Sequence, residues 1–433
     1  MGVGDRPGGP DLSRILIYGI APLPFENTRK NYGPGIRSWQ FARALAEAGH
    51  EVRLVAVVLD DAYAAPPVAV ENVDGVSIER VTKNQFVDPV HFRSRVAEFA
   101  PQGVVGATIY GSYALTVAQP EVPFWADQFG NVMAEAQAKS ALDGNDAVVP
   151  FFWQLLEPVL CRADRLSVVS ERQKWAAVGE LGAVGRLTFR TIGYDFAAVL
   201  PCALQPDAGR GPLPPQRRRA SALEPLRALW SGSYNTWSDV RTLVAGLERA
   251  MERNARIHFV STGGEVPGHD ESTYRELVER AGRSRFVERF DLRGWVIADE
   301  LPAIVADCDL GLLTELAIYE GMLGSKNRVV QWMSTGLAVA YNQIGDLGEL
   351  LEQQHLGLTF PVGDADALAD RLCWAADHPH ELAAMAERAR RHALEHMTFT
   401  ATTRELVAWA ASPAFAPDAG YKPASRFRGT TSF

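Results

Sequence analysis

Asp309-Leu-Gly-Leu-Leu313, Thr314-Glu-Leu-Ala-Ile-Tyr-Glu-Gly-Met-Leu-Gly-Ser325 and Lys326-Asn-Arg-Val-Val-Gln-Trp-Met-Ser-Thr-Gly336 follow one another, and their reading decides the fold. The first is a short apolar run, the pattern of a strand buried on both faces of a parallel sheet. The second is a long loop. The third opens a helix that carries Val329 to Thr335 and stops at Gly336, after which Leu337 to Tyr341 reads as the next strand. Lys326 and Arg328 stand where a helix macrodipole favours acids. An anion seated at that helix end would remove the conflict, whereas a solvated basic turn would leave it standing.

The same alternation extends in both directions. In the second half, Leu226 to Trp230, Ile257 to Ser261 and Leu310 to Leu313 read as strands. Asp239 to Met251 and Leu301 to Ala306 read as helices, and Asp364 caps a helix carrying Leu368 and Leu372. The first half starts in the same manner. Arg14-Ile-Leu-Ile-Tyr-Gly-Ile20 is a strand, Asn31-Tyr-Gly-Pro-Gly35 a glycine loop, and Ile36, Trp39, Ala42, Leu45 and Ala46 mark a helix ended by Gly49. Glu51 to Val58, Val104 to Ile109, Pro123 to Ala126 and Leu166 to Val169 read as further strands, with Val73 to Val81 a strand or hairpin. His91 to Phe99 and Val148 to Cys161 read as helices. The fold class is therefore α/β, with two Rossmann-like domains. The expected boundaries are 13–205, a linker at 206–224, 225–395, and a C-terminal helix and tail at 396–433 crossing back to the first domain. The linker is rich in Pro and Gly, and Arg217-Arg-Arg219 within it reads as a solvated charge run.

The chain has 433 residues, 47% hydrophobic and 22% charged, which suits two packed domains rather than a disordered polymer. A formal charge of -9 argues against nucleic acid as the main partner but leaves room for a small anion held by placed cations. Cys161, Cys202, Cys308 and Cys373 form neither a CxxC pair nor a Cys/His cluster, the pattern of scattered thiols in a reducing cytoplasm. Met1 to Pro10 has no apolar core and no apolar run is long enough to span a bilayer, so the expected location is cytoplasmic, with peripheral membrane contact left open.

Ligands of open parallel sheets sit beyond the carboxyl ends of the strands, which directs attention to the loops there. Gly33 and Gly35 flank Pro34 before a helix, with Arg29, Lys30 and Arg37 nearby, an anion-receptive pattern that also fits an ordinary turn. Ser231-Gly-Ser-Tyr-Asn-Thr-Trp237 occupies the matching place in the second half. It lacks a Walker ending, and its Tyr234, Asn235 and Trp237 offer donors and a stacking face or simply pack a polar turn. Asp307-Cys-Asp309 has the spacing of a metal-binding acidic pair but precedes a strand, so a metal is not expected.

Four segments of the second half resemble the retaining GT-B glycosyltransferases of the family 4 type, which use nucleotide sugars. They are Gly294-Trp295-Val-Ile-Ala-Asp-Glu-Leu-Pro302; Ala306-Asp-Cys-Asp309 before its apolar strand; Lys326 to Ala340; and Gly345-Asp-Leu-Gly-Glu-Leu-Leu351 with Gly357-Leu-Thr-Phe-Pro-Val-Gly-Asp364. The first half matches more loosely, through Tyr32-Gly-Pro-Gly35, Gly49-His-Glu-Val52 and Ala163-Asp-Arg-Leu-Ser-Val-Val-Ser170. The resemblance implies two Rossmann-like domains facing each other across a cleft. It further implies sugar transfer from a nucleotide diphosphate to an acceptor hydroxyl with retained anomeric configuration and without a metal or other cofactor.

It also assigns residues. The family's Glu-x7-Glu pair holds the donor sugar and the ribose. Here Glu320-Gly321 matches the first position, with Glu315 as its rival, and Gln331 stands at the second after a longer spacing. Arg328 and Lys326 fall to the diphosphate. The place of the family's N-domain histidine falls in Phe124-Trp-Ala-Asp-Gln-Phe-Gly130, where Asp127 is the candidate, a buried hydrogen-bonded Asp being the alternative. Gly33, Gly35, Ser231, Gly232, Ser233, Asn235, Trp295, Val296, Gly324 and Ser325 complete the expected donor contacts. The acceptor is a small molecule, a lipid-linked molecule or a saccharide, and aromatic residues near 124–133 and 151–153 fit an apolar or planar one. A nucleotide-sugar epimerase or phosphorylase of the same architecture, and a non-catalytic nucleotide-sugar-binding protein, are the rival readings.

Overall fold

The computed structural model describes residues 12–26, 28, 32–59, 62–63, 67–204, 215–297 and 299–424. Arg29, Lys30 and Asn31, named above, lie outside them.

The first sheet contains β1 (Arg14–Ile20), β2 (Glu51–Val57), β3 (Val70–Val73), β4 (Val76–Val81), β5 (Gly103–Gly106), β6 (Phe124–Asp127), β7 (Arg165–Val168) and β8 (Ala197–Val199). Their order is β3-β4-β2-β1-β5-β6-β7-β8. All neighbours are parallel except the β3–β4 hairpin, turned by Asp74 and Gly75 at positive φ. The second sheet contains β9 (Leu226–Trp230), β10 (Ile257–Ser261), β11 (Phe290–Leu292), β12 (Leu310–Leu313), β13 (Ala338–Asn342) and β14 (Leu358–Phe360), in the order β11-β10-β9-β12-β13-β14 and all parallel. Each sheet reverses strand order beside its first strand, between β1 and β5 and between β9 and β12. Loops diverge there and leave a crevice at the strand ends.

β1 explains why these strands read as unbroken apolar runs. Ile15 and Ile17 face one buried cluster, while Leu16, Tyr18 and Ile20 face the other, so helices cover both sides. The stretch expected as strand from Val104 to Ile109 ends early, at Gly106, and a helix, Thr108–Ala118, begins in its place. Among the described residues no helix is long and apolar enough to cross a membrane.

The arginine run at 217–219 is anchored rather than solvated. Arg217 Nη1 reaches Asp309 Oδ2 at 3.1 Å. Arg219 is buried, and its guanidinium donates to the carbonyls of Ala375 (2.5 Å) and Ala376 (3.1 Å). Residues 215–219 therefore lie along the second sheet's helices. The chain passes between the halves again near 398, where Leu204 N donates to Met397 O at 2.9 Å and Phe399 N to Leu204 O at 3.2 Å. Beyond this crossing Phe399, Leu406 and Ala410 are buried in the first domain's core.

Gly35 sits in the helix Gly33–Glu47 where it passes the loop after β1. A Cβ there would lie 1.9 Å from the carbonyl oxygen of Pro22. Overlap with backbone cannot be relieved by a rotamer change, so Gly35→Ala is expected to cost about 2 kcal/mol. The check is a lowered urea midpoint at unchanged slope.

Candidate functional site

The two sets of strand ends enclose a cavity of about 460 Å³. On the second domain's side its floor is the loop after β9. Gly232 holds a left-handed φ of +92°, which turns Ser231-Gly-Ser233 sharply at the strand end. Trp332 Nε1 donates to Ser231 Oγ at 3.0 Å and fixes that turn against the helix Asn327–Thr335. This helix opens onto the cavity with Lys326 as its N-cap, no side-chain cap and no acid in its first turn. Its leading N–H groups are thus available to an anion.

Arg328 is the second residue of that helix. Nη2 donates to Ser233 O at 2.8 Å, and the guanidinium carbon sits 5.1 Å from the Trp230 ring centre. Nη1 is buried without a hydrogen-bond partner among the described residues. Burial lowers the Arg328 pKa from its ordinary value, a cost that an anion in the cavity would offset.

Lys326 is engaged differently from the sequence expectation. Its Nζ lies 3.0 Å from Glu315 Oε1 and 3.1 Å from Glu320 Oε2, so two carboxylates already hold the ammonium. Burial alone would depress its pKa; Glu315 and then Glu320 reverse this and raise it. Lys326 thus acts as a strut between the two rival glutamates. Glu315 is only 1% exposed, and its Oε2 also accepts the Tyr341 hydroxyl at 2.5 Å. Glu320 is 13% exposed and bonds only to Lys326, so it is the more accessible of the two glutamates to a ligand. Its carboxyl is pushed up to about 7, by burial first, against the pull of Lys326 and with the help of Glu315 and Glu135.

Of the expected donor contacts, Gly33, Ser231, Gly232, Ser233, Asn235, Trp295, Val296, Glu315, Glu320, Gly324, Ser325, Lys326, Arg328 and Gln331 all line the cavity. Gly35 does not; its lack of a side chain serves the close approach to Pro22 described above. Tyr234 offers no stacking face. It is fully buried, stacked on Trp230 with ring centres 4.5 Å apart and bonded to Ser261. Asp307 and Asp309 lie at the opposite end of β12, held by Arg227 and Arg217.

Asp127 is also absent from the cavity wall. Arg37 grips it bidentately, Nε to Oδ2 at 3.0 Å and Nη2 to Oδ1 at 2.7 Å, and both side chains are 0% exposed. Ser167 Oγ and Thr108 N donate to the remaining lone pairs at 2.6 and 3.1 Å. The carboxylate is saturated, and Arg37, which the glycine loop had offered to an anion, is consumed with it.

Thr108 and Glu135, both on the cavity wall, are among the residues that escaped the sequence reading. Thr108 follows β5 at φ +67°, a left-handed conformation costly for a β-branched residue, and its hydroxyl is buried without a partner. Nothing in the sequence marks it. Glu135 lies in the first turn of the helix Val132–Asp143, capped by Asn131. That cap, four residues after β6 and directly before the helix, was the available signal.

Residues 225–378 match the family model described as glycosyl transferases group 1. No curated protein matches the sequence. Among solved structures, sucrose-phosphate synthase from Thermosynechococcus elongatus is similar with a TM-score of 0.67 at 15% identity, covering 91% of this chain and 97% of that one. HepE of Anabaena, solved with UDP-glucose, gives 0.63 at 14% identity over 93% and 100% of the two chains. The trehalose-6-phosphate synthase OtsA gives 0.66 at 13% identity, again over 93% and 100%. Such identities speak for the fold, and the family match speaks for the chemistry of the second domain. The chain has the GT-B architecture, two Rossmann-like domains on one cleft, and residues 225–378 of its second domain match the glycosyl transferases group 1 model.

Proposed function

We propose that the cavity binds a nucleotide-diphosphate sugar and transfers its sugar to an acceptor hydroxyl with retention of anomeric configuration. The observation that carries this reading is the buried, unpartnered Nη1 of Arg328 beside an uncapped helix terminus. Together they supply fixed positive charge where the diphosphate departs. The bond from the anomeric carbon to the leaving phosphate oxygen breaks, the acceptor oxygen bonds to the same face, and the acceptor proton passes to the departing phosphate. Glu320 accepts hydrogen bonds from the sugar hydroxyls, and the Gln331 amide serves the ribose without charge assistance. The chain's own groups suffice for these roles, so the reading includes no metal.

A thermal-shift panel of UDP-, GDP-, ADP- and dTDP-glucose tests it. HepE was solved with UDP-glucose, which makes UDP the first base to try. At a hundredfold excess over Kd the correct donor stabilises by about 2.7 kcal/mol. Four donors without any shift would refute the reading.

Glu320 also sets a pH dependence. A nucleotide sugar has no ionisation between pH 6 and 8, but a carboxyl with a pKa of about 7 gains negative charge across that range. Ionised, Glu320 is the stronger acceptor for the sugar hydroxyls, so donor affinity is expected to rise severalfold from pH 6 to 8, and Glu320→Gln to flatten the profile. The sign for stability follows from the same shift. Between 4.5 and about 7 the folded chain binds more protons at this site than the unfolded one, so its contribution to stability falls as pH rises through that window.

A further inference from the structure

The first domain's wall of the cavity has a chemistry unlike that of the second. Ile36, Ile109, Phe129, Val132 and Phe152 line it; Ile109, Val132 and Phe152 are continuous with one core cluster of the first domain, Ile36 packs on its other cluster, and Phe129 packs against the second domain's core. Glu135 sits at its edge, and its carboxylate makes no hydrogen bond among the described residues, although it is close enough to Glu320 and Lys326 to influence the one and be influenced by the other. We infer that this wall takes an acceptor with an apolar body, an aryl or alkyl group, and that Glu135 receives a hydrogen bond from its polar end. This inference rests on the glycosyltransfer reading and names its acceptor class.

Three observations carry it. An apolar wall gains by covering apolar surface and nothing by covering a bare sugar. A half-buried carboxylate without a partner is costly until a donor group reaches it, and a hydroxyl or amine can do so. A phosphoryl group at the same place would meet like charge, so the sugar phosphates suggested by the names of the sucrose-phosphate and trehalose-phosphate synthases fit this wall poorly. Burial raises the Glu135 pKa, opposed by His269, Lys139 and Lys326, in keeping with a carboxyl kept short of solvent.

Calorimetric titration of the full chain, with and without UDP, using phenyl β-glucoside, glucose and glucose 6-phosphate, tests the inference. The phenyl glucoside is expected to bind at least tenfold tighter than glucose, and glucose 6-phosphate no tighter than glucose. Glu135→Gln is expected to weaken the phenyl glucoside about tenfold. Preference for the phosphate, equal affinities, or no binding by any of the three would overturn it, as would an unaltered Glu135→Gln. A protein that binds no nucleotide sugar yet discriminates among these glucosides would defeat the donor reading and leave the acceptor wall standing.

Discussion

Arg328→Ala is expected to weaken nucleotide-sugar binding about a hundredfold while leaving the fold intact. The guanidinium is the one described cation on the cavity wall whose donors are not all engaged: Nη2 holds Ser233 O, and Nη1 is buried and unmatched. A charge-assisted hydrogen bond to phosphate contributes about 1.5–3 kcal/mol, and two such bonds, or one with the local charge, account for the expected loss. Arg328→Lys would restore only part of it, because an ammonium cannot hold Ser233 O and a phosphate oxygen in one plane. Calorimetry with the best donor of the panel, beside far-ultraviolet dichroism of each variant, measures both quantities. A change of less than threefold would mean that the diphosphate lies elsewhere.

Asp127→Ala carries the largest expected loss of stability, about 3–5 kcal/mol. Alanine leaves Arg37 as an unpaired charge at 0% exposure, the situation in which breaking a buried ion pair is most damaging. It also releases the amide of Thr108, whose left-handed conformation that carboxylate helps to hold. The expected record is a large drop in urea midpoint, accompanied by weaker activity through disorder at Thr108. A variant as stable as the parent but without turnover would instead restore Asp127 to catalysis.

The contrast between these residues shows what a sequence can disclose. Arg328 is legible because its signal is local: cations at a helix start conflict with the dipole within one turn. Asp127 stands at the expected strand end, but its partner Arg37 is 90 residues away, and only the assembled domain shows that the carboxylate is spent. Spacing alone could not separate Glu315 from Glu320, since the choice is made by the Tyr341 hydroxyl on a neighbouring strand. The alternation of strand and helix fixes both sheets because a strand covered on two sides has to be apolar throughout. Glu135 escaped because Val132–Asp143 is rich in alanine and polar residues and has no apolar rhythm to mark it.

The paired passages of chain at Leu204 and Met397–Phe399 have a mechanical consequence. Two tethers bonded side by side form a spine, and two boards on a spine open like a book. Sliding one board past the other would shear the amide bonds between the tethers, so that freedom is suppressed. Held against such a slide, Glu135 and Glu320 keep their places on the wall of one shared cavity.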